Sequence, residues 1–128
     1  MLPLAHAPAW ILASVVLVVT VLYLSLAPLN IPAELPTHFD KVEHAAAYVF
    51  LAVWFTGLVA RPRYWRVVAA LVVFGLTIEF LQAAMPFGRQ GDPRDVLANV
   101  AGIGMGIALA RWVTGGWALQ VEAWLNRS

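Results

Sequence analysis

The chain contains no cysteine. That excludes disulfides, a thiol nucleophile and a thiolate metal site. Charge is also scarce, at 12% of 128 residues, where an ordinary soluble domain carries roughly 25%. A soluble fold of this size would have too few polar groups to cover its surface. The charges nearly cancel, to +1, which removes the electrostatic case for nucleic acid as a partner. Internal repeats and low-complexity tracts are absent as well.

What remains is apolar: 62% hydrophobic residues and a mean hydropathy of +0.79. This is the composition of a membrane protein. A spanning helix needs about 20 mostly apolar residues, so the chain suits one domain, 1–128, with four spans and short loops. The four apolar stretches run from about Trp10 to Ala27, Val42 to Ala60, Trp65 to Met85 and Pro93 to Val113. Lipid cannot satisfy backbone N–H and C=O groups, so these stretches read as helices. The expected architecture is an all-α membrane protein, with four transmembrane helices in an antiparallel bundle. The first stretch lacks a basic leader, and a cut after Ala27 would place Pro28 beside the scissile bond. It reads as a retained anchor rather than a signal peptide.

The connections are rich in proline, glycine and arginine. Residues 28–39 hold three prolines and argue against a continuous helix. Thr114-Gly115-Gly116 stops the fourth span. Beyond it, Trp117, Val121, Trp124 and Leu125 share a helical face, as in an interfacial helix. Arg61, Arg63, Arg66, Arg111 and Arg127 face Lys41, Arg89 and Arg94 across the bundle. The excess of arginine places the loop between spans two and three, and both termini, in the cytoplasm.

With four antiparallel spans, the acidic and histidine side chains within them gather at one membrane face. Asp40 and His44 are four apart and Lys41 and His44 three apart, so they share a helix face. Glu79 and Gln82 are three apart. Asp95 and Asn99 are four apart, with Gly102 and Gly106 continuing that stripe. At about 1.5 Å per residue, Glu79 and Asn99 lie roughly 10 Å below the helix ends. A carboxylate in a span costs about 2.5–3.5 kcal/mol on the lenient insertion scale, so Glu79 calls for a reason. Plainer roles exist for its neighbours. Asp92 reads as an N-cap with Pro93 at the first helical position, and Asp95 can complete the cap. Gly102, Gly104 and Gly106 let helices approach closely. Glu43 and Arg94 read as interfacial charges, and His6 and His38 as loop or terminal residues without chemistry.

These residues resemble the VanZ-like family of small bacterial membrane proteins. The matching elements are DKVEH at Asp40 to His44, EFLQ at Glu79 to Gln82, and GRQGDPRDVLANVAGIGMG at Gly88 to Gly106. The resemblance covers about Asp40 to Arg111. It implies a multi-pass protein of the bacterial cytoplasmic membrane and a link to the cell envelope. The family's named member is associated with resistance to the glycopeptide teicoplanin.

Three functions stay open at this point. In the first, the pocket binds an anionic membrane lipid or a lipid-linked phosphate of the cell envelope. Asp40, Lys41, Gln82, Arg89 and Asn99 would be the ligand-binding residues, with arginine gripping phosphate through paired N–H groups. In the second, the chain is an intramembrane enzyme on such a lipid, with Glu79, His44 and Asp95 as candidate catalytic acids, bases or metal ligands. In the third, the cluster holds helices together in a partner subunit. No cofactor or metal is called for: the cluster has one histidine and no helical histidine pair. A chain this small has a thin core, which suits a homodimer.

Overall fold

A computed structural model describes residues 1–27, 37–84 and 93–128, with the side chains of 37–40 outside that description. Every regular element among the described residues is helical. The helices are α1 (Ala7–Leu26), α2 (Thr37–Thr56), α3 (Tyr64–Ala84), α4 (Pro93–Leu109) and α5 (Trp117–Leu125). A 3-10 turn at Arg61–Arg63 leads into α3, and a π-helical turn at Ala110–Thr114 follows α4. α2 begins five residues earlier than its apolar stretch, so part of the proline-rich segment is helical. Gly116 ends the fourth stretch with φ of 71°, a left-handed conformation that glycine adopts without strain.

Three helical segments are long and apolar enough to cross a membrane: Ala7–Leu26, Arg61–Ala84 and Pro93–Thr114. α2 matches them in length, at 20 residues. It falls outside this set because Asp40, Lys41, Glu43 and His44 crowd its first turns.

The most extensive helix pairing joins α2 to α4. Asp95 meets Lys41, Gly102 meets Ala45, and Gly106 meets Val49 and Ala52, so these helices run in the same direction. A Cβ at Gly102 would fall on the carbonyl oxygen of Ala45 and 3.0 Å from its carbon. One at Gly106 would overlap Ala52 Cβ and lie 2.9 Å from the Val49 oxygen. Gly104, on the other face, has nothing within 4 Å. Small residues matter here because lipid is as apolar as leucine, so close packing must hold spans together. α3 runs opposite to α4, with Gly75 beside Asn99 and Tyr64 beside Gly115. Tyr48, Leu51, Ala52, Val67, Leu71 and Ile103 form the core. α1 lies outermost: it buries no residue fully, and only one edge, including Leu17 and Val21, packs on that core.

The expected tail helix forms as α5. Trp124 and Leu125 are exposed, but α5 is docked through Ala118 and Glu122, which are buried. Trp117 packs against Trp10 and Trp54, and its Nε1 donates to the Val53 carbonyl at 2.9 Å. Glu122 then reaches the start of α1. Its carboxylate accepts from the Ala5 and His6 amides at 2.7 and 2.8 Å and from Trp10 Nε1 at 2.8 Å. His6 Nδ1 lies 3.4 Å away. His6, in the turn before α1, is thus part of a tertiary contact. α1 has no side-chain cap of its own, and the carboxylate of α5 sits at its positive end instead.

Burial pushes the Glu122 carboxyl up, but the His6 amide, the Trp10 indole, the Ala5 amide and the charge of His6 outweigh it. The group is held below its ordinary value of 4.5. A depressed carboxyl stabilises the fold fully above its unfolded pKa and loses that contribution as pH falls through the folded one. Docking of α5 is therefore expected to be constant from neutrality down to about pH 5 and to weaken below the ordinary glutamate range. Tryptophan emission during an acid titration reads this. Glu122→Gln should flatten the acid transition, and an unchanged transition in that variant would refute the assignment.

Candidate functional site

The start of α2, the end of α3 and the start of α4 meet at one end of the molecule. Lys41 donates through Nζ to Asp95 Oδ1. One turn along α2, His44 places Nε2 3.9 Å from the other oxygen of the same carboxylate. Asp95 is only 3% exposed although it stands in the first turn of α4. Capping is therefore not its whole role: it is the shared acid between two basic residues of α2. It also sits at the favourable, positive end of the α4 dipole.

Tyr48 follows His44 by four residues, on the same face of α2. Asn99 follows Asp95 by four on α4. These spacings carry the polar stripe one turn deeper on both helices. Both residues are buried, and both border Gly75 of α3. A Cβ there would lie 3.1 Å from each of Tyr48 Oη and Asn99 Nδ2. Among the described residues, Tyr48 Oη and Asn99 Oδ1 find no hydrogen-bond partner. Each such atom costs about 1–3 kcal/mol. Glu79, a turn further along α3, is half-buried and within electrostatic reach of the Tyr48 hydroxyl.

Gln82 is 3% exposed, and its Nε2 donates to the Ser25 carbonyl at 2.7 Å. That donor ties α3 to the end of α1. Arg89, Asp92 and the side chain of Asp40 lie outside the described residues. The structure thus brings Lys41, His44, Asp95, Asn99 and Glu79 to one end, with Gly102 and Gly106 packing the stripe beneath them. Among the described residues, no three histidine or acidic side chains gather closely enough to hold a metal ion.

A family model described as VanZ/LLP1 matches residues 9–114. The chain belongs to the VanZ/LLP1 family. The match extends through α1, upstream of the motif-bearing residues, so the outermost helix belongs to the VanZ/LLP1 unit. It stops at Thr114, before α5 and its Glu122 contact. No curated protein and no solved structure matches the chain. Within the VanZ/LLP1 unit, sequence reasoning missed Tyr48 and Gly75. Tyr48 was legible as the next position on the Lys41–His44 face. Gly75 carries no local signal, because only its tertiary neighbours give it meaning.

Proposed function

We propose that this chain binds and handles an anionic lipid, or a lipid-linked phosphate of the cell envelope, at the Lys41–Asp95 end. The observation that carries the reading is the pair of buried polar atoms without protein partners, Tyr48 Oη and Asn99 Oδ1. Both lie one turn below an ammonium and an imidazole. Polar groups held at such cost in an apolar bundle mark a place where another molecule supplies the hydrogen bonds. Asp95 holds the Lys41 ammonium at this end, where its positive charge attracts a phosphate. The Tyr48 hydroxyl donates to a neutral oxygen beneath it, and Asn99 Oδ1 accepts from a headgroup hydroxyl.

Tyr48→Phe tests this directly. It removes an unbonded hydroxyl, so unfolding stability should stay level or rise by about 1 kcal/mol. Lipid carried through purification, read by mass spectrometry, should fall several-fold. Undiminished lipid, or a fold that collapses, would defeat the reading. Headgroup turnover by the wild type in the same vesicles would assign an enzyme instead, with His44 and Asp95 as the proton-transferring pair.

The reading needs a particular topology. Four antiparallel spans in the bacterial cytoplasmic membrane would put this end on the extracytoplasmic side and both termini in the cytoplasm. The support is Arg61 and Arg63 in the turn between α2 and α3, with Arg66 in the first turn of α3. Single cysteines at Arg63 and Gln90 should react with an impermeant thiol reagent from opposite sides. Labelling from one side alone rules the topology out. A role in teicoplanin-type resistance would follow from the same lipid handling.

A further inference from the structure

A second polar site lies at the opposite end of the helices. There the structure leaves a cleft of about 380 Å3. Its wall is formed by Leu2, Val59, Tyr64 and Leu119, and Arg61 and Arg111 stand at its edge. Both arginines are exposed. Arg61 donates through Nη2 to the main-chain carbonyl of Arg111, within the π-helical turn at the end of the fourth apolar segment. A guanidinium has five N–H donors in a rigid fork, so one such bond orients the rest. The residues lining the cleft include no acid. Glu122 of neighbouring α5 is engaged by Ala5, His6 and Trp10.

The depth of this cleft in a bilayer follows from three tryptophans at the same end. Trp65, Trp112 and Trp124 are 65%, 82% and 68% exposed. Arg66 lies over the Trp65 ring, 5.4 Å from its centroid. Exposed tryptophan beside arginine belongs at the membrane–water boundary. The cleft therefore opens at headgroup level, with apolar residues behind it and cations in front.

We propose that this cleft holds the phosphate of an anionic membrane lipid. Arg61 and Arg111 grip the phosphate, and the apolar wall receives the first segment of an acyl chain. Paired N–H groups of arginine match phosphate oxygens in geometry as well as charge. The site is independent of the Lys41–Asp95 end and of what binds there.

The test uses the full chain in phosphatidylcholine nanodiscs containing a minor fraction of phosphatidylglycerol, with retained lipid counted by native mass spectrometry. The wild type should retain phosphatidylglycerol in preference to phosphatidylcholine. Arg111→Gln should lower that retention about tenfold. It leaves the Arg61 bond intact, because that bond ends on the backbone. Leu119→Trp, which fills the wall without changing charge, should lower retention as well. Arg127→Gln removes the same charge from an exposed position near the tail, and should retain lipid like the wild type. Equal loss in Arg127→Gln would mean diffuse attraction and overturn the site. So would full retention in both cleft variants, or release of phosphatidylglycerol by inorganic phosphate, which would assign the cleft to a free anion.

Discussion

Gly102→Ala is expected to cost about 3 kcal/mol of unfolding free energy, at the upper end of what overpacking a tight contact exacts. The added methyl would sit on the Ala45 carbonyl oxygen. Backbone cannot swing aside as a long side chain can, so α2 and α4 must separate along their shared seam. That seam is the most extensive in the molecule and carries the polar cluster at its end. Gly104→Ala makes the same chemical change two residues away, into open space. It should stabilise by roughly 0.5–1 kcal/mol, because alanine is the better helix former. Denaturant titration of both variants in one detergent reads the difference. Equal effects from the two substitutions would refute the close-packed seam.

Asp95→Ala should be comparably damaging. Removing one partner of a buried ion pair costs about 3–5 kcal/mol, since the other charge stays behind without it. The Lys41 side chain is 27% exposed and can draw in some water, so the lower end of that range is expected. His44 loses the same carboxylate. The double variant Asp95→Leu with Lys41→Met removes both charges, and should recover most of the lost stability while leaving lipid retention abolished. A double variant no more stable than Asp95→Ala would show that the acid holds the fold by some other contact. Asp95→Ala with wild-type stability would dismiss the ion pair as a structural element.

Helices and their limits were largely legible in the sequence, because lipid leaves the backbone so few alternatives and because proline and glycine punctuate this chain. Lys41, His44, Glu79, Asp95 and Asn99 were legible as a group for a related reason. Polar side chains are so expensive in a span that their spacing stands out against an apolar background. Tyr48 escaped because its ring reads as one more apolar residue in an aromatic run, and its hydroxyl counts only once the neighbours are known. Glu122 escaped for another reason. The apolar stripe of Trp117, Val121, Trp124 and Leu125 suggested a helix lying at the membrane surface. Ala118 and Glu122 dock beside Trp117, and the partners of Glu122 are more than a hundred residues away. Asp40, Lys41 and His44 in the first turns of α2 are candidate site residues, yet with Glu43 they also make this helix less apolar than the three that qualify as spans. Composition alone does not weigh those two consequences against each other.

The Glu122 contact also sets an order of events during synthesis. The Ala5 amide waits for an acceptor 117 residues further along the chain. At roughly 5–20 residues per second, translation takes about 6–23 s to supply it. Through that interval α1 must enter the bilayer with the N–H groups at its start answered only by water or headgroups. The contact between α5 and the start of α1 can then close only after all four long helices have been synthesised. A released chain truncated before Trp117 would therefore keep α1 to α4 but lack the acceptor for the Ala5 and His6 amides.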